Sequence, residues 1–138
     1  MSVNFYIKLK GRTKPLHIGK SSWGWAFALH YIPGICENLE QWKDYINNSE
    51  NVIYNEYQHR ISADELLNTI TKRGFKNDKD DEFKTVRKYI SREEIYLFEK
   101  DNHSKYDYES GLWRHTDRQY AVANPEGETY DLIEGDFS

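Results

Sequence analysis

From Trp23 onward the odd positions are Trp23, Trp25, Phe27, Leu29 and Tyr31, while the even ones are Gly24, Ala26, Ala28 and His30. A period of two marks a strand, because successive side chains leave opposite faces of a pleated backbone. The spacing predicts a strand over residues 23–31 with one bulky apolar face and one nearly bare face, ended by Pro33-Gly34. Its rings read first as core and second as a platform on which a base can stack. The bare face admits either a closely packed helix or the floor of a ligand pocket.

The flanking segments assemble around this strand. Val3, Phe5, Ile7 and Leu9 alternate with polar residues and predict a first strand over residues 1–10; Leu16-His17-Ile18 predicts a short second one, leading into a Gly19-Lys20-Ser21-Ser22 turn. Asn38 is a helix N-cap, followed by Leu39, Trp42, Tyr45 and Ile46 at helical spacing. Short extended segments follow at 52–57 and 60–61. Ser62 with Glu65 forms a capping box that opens a second helix, which Gly74 stops.

Further on, residues 76–82 read as an exposed charged loop and residues 83–89 as either helix or strand. Ser91-Arg92-Glu93-Glu94 has the composition of a helix start, yet Ile95-Tyr96-Leu97-Phe98 reads as a strand, and the strand is the assignment favoured here. Residues 101–111 read as a polar and aromatic loop, 112–115 and 119–123 as hairpin arms, 124–127 as a turn and 130–133 as a last strand. The expected fold is α+β: a single domain over residues 1–138, with a mainly antiparallel sheet from N- and C-terminal strands and two or three helices packed on one side.

Composition removes whole classes of function. The net charge of -4 argues against a general grip on nucleic acid or on anionic lipid. Cys36 is the single cysteine, so neither an intrachain disulfide nor a Cys-x-x-Cys metal pair can form, which suits a reducing compartment. No apolar run reaches about 18 residues and the N-terminus lacks a basic-then-apolar leader, so no membrane association and a cytoplasmic location are expected.

Gly19-Lys20-Ser21 matches the end of a phosphate-binding P-loop, but Lys14 stands where the first glycine is needed, and an apparent strand follows where a helix is needed. Lys20, Ser21 and Ser22 still offer a cation and two hydroxyls to phosphate oxygens. Arg114 and His115, next to Trp113, form a second basic cluster, and arginine suits bidentate phosphate contacts. None of His17, His30, His59, His103 and His115 pairs at zinc-site spacing, so no metal and no cofactor are expected. Neither a nucleophile elbow nor a signature pair of carboxylates is legible, so no catalytic residue is expected.

His17-Ile18-Gly19-Lys20-Ser21-Ser22 followed by Gly24-Trp25 and Phe27, then Asn102-His103, Gly111-Leu112, Arg114-His115 and the terminal Gly127-Glu128 with Tyr130-Asp131-Leu132-Ile133 and Gly135-Asp136-Phe137-Ser138, resembles a family of small uncharacterised proteins encoded by bacteriophages. The resemblance spans nearly the whole chain. Several such proteins carry a Cys-x-x-Cys pair ahead of the His-x-Gly-Lys-Ser-Ser motif, whereas residues 8–14 here hold no cysteine. What the resemblance implies is a phage origin and expression in the cytoplasm of a bacterial host, where small accessory proteins often act by binding.

The leading expectation is a non-enzymatic binding protein that captures a phosphate-bearing nucleotide signal, cyclic ones included, in counter-defence against the host. Lys20, Ser21, Ser22 and Arg114 would hold phosphate, Trp23 or Trp25 would stack the base, and His17, His30 or His115 would donate hydrogen bonds. The alternative is an inhibitor of a host defence protein through an acidic face that includes Asp78, Asp80, Asp81, Glu82, Glu126, Glu128, Glu134 and Asp136. A third is a small phosphoesterase-like enzyme using one of the three histidines. A homo-oligomer is compatible with all three.

Overall fold

The structure, a computed structural model, describes residues 2–73, 91–116, 121–122 and 128–137. The expectations for Gly74 and for residues 76–82, 83–89, 117–120 and 124–127 lie outside the described residues. Within them the chain is α+β. Strands β1 (Ser2–Lys8), β2 (Leu16–Ser22), β3 (Phe27–Tyr31), β4 (Val52–Asn55), β7 (Ala121–Val122) and β8 (Tyr130–Glu134) form one sheet in the order β4-β1-β2-β3-β8-β7. Its neighbours are antiparallel except β3 and β8, which run parallel. Strands β5 (Ser104–Asp107) and β6 (Leu112–His115) form a separate antiparallel hairpin.

Helices α1 (Leu39–Ile46) and α2 (Ala63–Thr71) cover one face of the large sheet. The caps read from sequence are in place: the Asn38 side chain accepts the Gln41 N–H at 2.8 Å, and Ser62 Oγ accepts the Glu65 N–H at 3.2 Å. Leu39, Trp42, Ile46, Leu66 and Ile70 then bury against Phe5, Ile7, Ile18, Phe27 and Leu29. The bulky face of the central strand is therefore core, and Trp42 pins α1 to it by donating its indole N–H to the His30 carbonyl at 2.8 Å.

Three local expectations are corrected. Residues 95–98 are helical, inside α3 (Arg92–Asn102): Ser91 Oγ accepts the Glu94 N–H at 3.2 Å, and only Ile95 of the apolar run is buried. A four-residue apolar run does not distinguish helix from strand, and the cap decides it. Residues 112–115 pair with β5, inside the stretch read as loop, while β7 pairs with β8 in the other sheet. Asp107 closes the real hairpin by accepting from the Glu109 N–H at 2.9 Å and from Ser110 Oγ at 2.8 Å. Finally, the central strand begins at Phe27 and not Trp23, because Gly24 turns the backbone at φ +80°.

The second strand is also longer than expected, and its extension decides which residues share a surface. Phe5 pairs with Gly19 but Tyr6 pairs with His17, so Ile18 is an extra residue. Such a bulge reverses the alternation. Ile18 and Gly19 both turn to the core side, and His17, Lys20 and Ser22 come to share the face away from α1 and α2.

Gly19 is fixed by crowding. A Cβ there would run into the Ala28 carbonyl oxygen and sit 2.5 Å from Phe27 Cε1, a fully buried ring. Gly19→Ala should lower the unfolding free energy by about 1–3 kcal/mol through overpacking; a denaturant midpoint unchanged from the parent would show that the two strands separate freely.

Candidate functional site

The face of the sheet opposite the two helices is where the predicted residues collect. Arg73, just beyond α2, is buried and fastens the end of β2 to the turn after it: its guanidinium donates to Ser21 Oγ at 2.6 Å, the Ser22 carbonyl at 2.9 Å and the Trp25 carbonyl at 3.1 Å. β6 lies along the turn, with the Trp113 N–H on the Gly24 carbonyl and the Ala26 N–H on the Trp113 carbonyl, both at 2.9 Å. β6 thus pairs edge to edge with the backbone at Gly24–Ala26, and further along Ala28 lines a cavity.

That cavity, of about 340 Å³, is lined by Lys20, Ser22, Trp25, Ala28, His115, Ile133 and Phe137. Its size is that of a small-ligand site. Lys20 makes no ion pair among the described residues, so its ammonium charge is available. The Trp25 ring lies 4.8 Å from the His115 ring between centroids, with the Phe98 and Trp113 rings at 5.8 and 6.4 Å.

His115 is held by Asp131, which has no solvent exposure. Asp131 meets the edge of β6, so one carboxylate reaches side chains from both faces of that strand. Oδ2 accepts the His115 backbone N–H at 2.9 Å and the ring Nδ1–H at 2.8 Å, and Oδ1 accepts Arg114 Nε–H at 2.8 Å. Burial alone would push the carboxyl pKa up, but the His115 ring, the Arg114 charge and the His115 backbone N–H together hold it below the usual carboxylate value. Asp131 is therefore ionised, and His115 keeps its proton on Nδ1 and presents Nε2.

A second group lies beside the cavity. His17 and His30 meet Nδ1 to Nδ1 at 3.1 Å, His17 Nε2 contacts Asn4 Oδ1 at 2.9 Å, and Phe137 stands edge-on to both rings at 4.9 Å. With Asn4 accepting from Nε2, His17 Nδ1 is left as an acceptor, and His30 Nδ1–H meets both it and the His17 carbonyl at 3.1 Å. Double protonation would set N–H against N–H. Burial first, then the charge of His30, lower the His17 pKa to about 4, against the opposing pull of Asp136. Burial lowers His30 too, although the carbonyls of His17 and Gly135 resist it.

The nine expected residues thus fall into five sets. Lys20, Ser22, Trp25 and His115 converge on one cavity. His17 and His30 form the neighbouring pair under Phe137. Ser21 faces Arg73, and Trp23 is 51% exposed on the turn. Arg114 is buried, with guanidinium contacts to Asp131, the Glu128 carbonyl at 2.7 Å, the Tyr130 carbonyl at 2.9 Å and Asp107 at 3.4 Å. It builds the wall behind His115 and does not line this cavity. The Gly19–Ser22 backbone, expected as a turn, is strand, and Gly19 and Lys20 lie in register between β1 and β3.

A second cavity of about 330 Å³ lies along the β5–β6 hairpin between Tyr106, Tyr108, Arg114 and His115. Asp107 and Glu109 line it beside Lys105, whereas the first cavity has no carboxylate in its lining and is the better anion site.

Sequence reasoning missed Asp131, Arg73 and Phe137. A charged residue between Tyr130 and Leu132 in a strand is the available signal for the first, since a buried carboxylate requires a cation. Among the described residues no cluster of metal-ligating side chains occurs, and no helix is long and apolar enough to cross a membrane. No protein-family model matches the chain, and neither a curated protein nor a solved structure matches it.

Two stability tests follow from these contacts. The unfolded His17 binds a proton below pH 6.5 and the folded one only below about 4, so between those values acid favours the unfolded chain. Stability should fall across that window by roughly 2 kcal/mol, allowing for solvent screening of a partly exposed ring; denaturation at stepped pH should show the slope, and His17→Gln should reduce it to the part that His30 contributes. Separately, Asp131→Ala takes from buried Arg114 its closer carboxylate, leaving the 3.4 Å contact to Asp107, and should cost about 3 kcal/mol in the same assay at neutral pH.

Proposed function

We propose that the protein binds a small phosphate-bearing nucleotide in the cavity between β2, β3, β8 and β6. The observation that carries this reading is the convergence of Lys20, Ser22, Trp25 and His115, from three separate segments, on one cavity of ligand size. An ammonium group and a hydroxyl suit phosphate oxygens, an indole suits a base, and an imidazole held in one tautomer suits a single directed hydrogen bond. Ala28 leaves space that a larger side chain would fill.

Arg114 enters this reading as a support, not as a phosphate ligand, because its donors already meet carboxylate and carbonyl oxygens. In the phage setting that the sequence resemblance implies, such a pocket serves counter-defence by capturing a host signal nucleotide. The acidic-face alternative rests on Glu128, Glu134 and Asp136, which are exposed, while Asp78, Asp80, Asp81, Glu82 and Glu126 lie outside the described residues. No contact favours it.

Thermal melts with a panel of mono-, di- and cyclic nucleotides test the reading. A ligand at about 100 times its Kd should add about 2.7 kcal/mol and raise the melting temperature by several degrees. The double variant Lys20→Ala, Ser22→Ala should remove the shift while melting near the parent temperature alone. An undiminished shift in that variant would place binding elsewhere.

A further inference from the structure

We propose that the cavity also cleaves the phosphodiester it binds, with His115 as the proton-transferring residue and Asp131 as the residue that positions it. The proposal rests on the cavity taking a phosphate-bearing ligand and goes beyond capture. Its basis is geometric. A carboxylate with no solvent exposure takes the ring Nδ1–H of a cavity-lining histidine at 2.8 Å and the backbone N–H of the same residue at 2.9 Å. Two bonds from one residue to one oxygen fix both the position and the tautomer of the ring. Hydrogen bonding of one residue could be met by a neutral amide; an ionised carboxylate additionally stabilises the imidazolium that forms when Nε2 takes a proton.

The other two histidines are unsuited to this role. His17 and His30 direct Nδ1 at each other, and His17 Nε2 is on Asn4. His115 Nε2 has no such partner among the described residues, and His115 lines one cavity together with Lys20 and Ser22.

In the step itself, a water attacks phosphorus. As the new P–O bond forms, the water proton passes to His115 Nε2. The P–O bond to the departing sugar oxygen, on the far side of phosphorus from the attacking water, breaks; that oxygen takes a proton from solvent water and leaves as an alcohol, and the imidazolium returns its proton to solvent. A phosphomonoester remains, so one water is added and nothing is oxidised or reduced. The Lys20 ammonium group faces the non-bridging oxygens, whose charge grows as the fifth oxygen approaches.

Cyclic mononucleotides and bis-nitrophenyl phosphate are the probes, read by mass for the cyclic compounds and by colour for the other. The expected result is a product heavier by one water, with kcat about 100-fold lower or more in His115→Gln and little change in KM. His115→Gln leaves the Arg114–Asp131 pair in place, so its fold is checked by an unchanged melt. Added imidazole should restore part of the rate in His115→Ala, which a purely structural role would not allow. Asp131→Asn should lower kcat with KM retained.

Ligand that binds and is recovered intact overturns the cleavage proposal and leaves the nucleotide reading standing. Neither binding nor cleavage of any probe overturns both. Cleavage at the parent rate in His115→Gln overturns the assignment to this cavity.

Discussion

The carboxylate of Asp131 ties together parts of the chain that share no local signal. It sits in β8, parallel to β3, and reaches the edge of β6, where it meets the Arg114 guanidinium, the His115 ring and the His115 backbone N–H. An ionised carboxylate without solvent is tolerable only when its lone pairs are met, and here at least three donors meet it. The same contacts hold the β5–β6 hairpin against the large sheet. The wall of the cavity and the anchoring of the hairpin are consequences of one buried charge, and a change to either alters the other.

A second constraint acts from the opposite side of the cavity. Without the extra residue at Ile18, strict alternation would place Lys20 and Ser22 on the face opposite His17's companion residues and into the packed core. The bulge lets β2 bury Ile18 and keep His17, Lys20 and Ser22 together on the open face. Gly19 follows from this, because the residue after the bulge is pressed onto Phe27 and the Ala28 carbonyl. Arg73 then holds the far end of β2 from the C-terminal side of α2, where Thr129 Oγ1 also donates to the Thr71 carbonyl at 2.7 Å. The helix layer thus fixes the geometry of a cavity on the other side of the sheet.

Elements with local signals were legible: β1 by alternation, α1 and α2 by their caps, β8 by its apolar run. Lys20, Ser22, Trp25 and His115 were legible as residue types suited to anion and base recognition, and Ala28 as a possible pocket floor. What could not be read was pairing. The partners of residues 112–115 lie five to eleven positions earlier, in a stretch whose single buried ring, Tyr106, gives no clear period. The separate duties of Arg114 and His115 depend on Asp131, 16 or 17 positions away in sequence and adjacent only through the parallel β3–β8 pairing.

Two adjacent imidazole systems with different surroundings also separate two kinds of work. The His17–His30 pair shares one proton between facing nitrogens beneath Phe137 and is disfavoured from charging by burial. His115, by contrast, leans on an ionised carboxylate, an arrangement that tolerates a transient positive charge. Phe137 belongs to both, since it covers the pair and lines the cavity. Acidification that charges the pair therefore bears on the apolar wall of the cavity before it reaches the Asp131 carboxylate, whose pKa lies below its ordinary value.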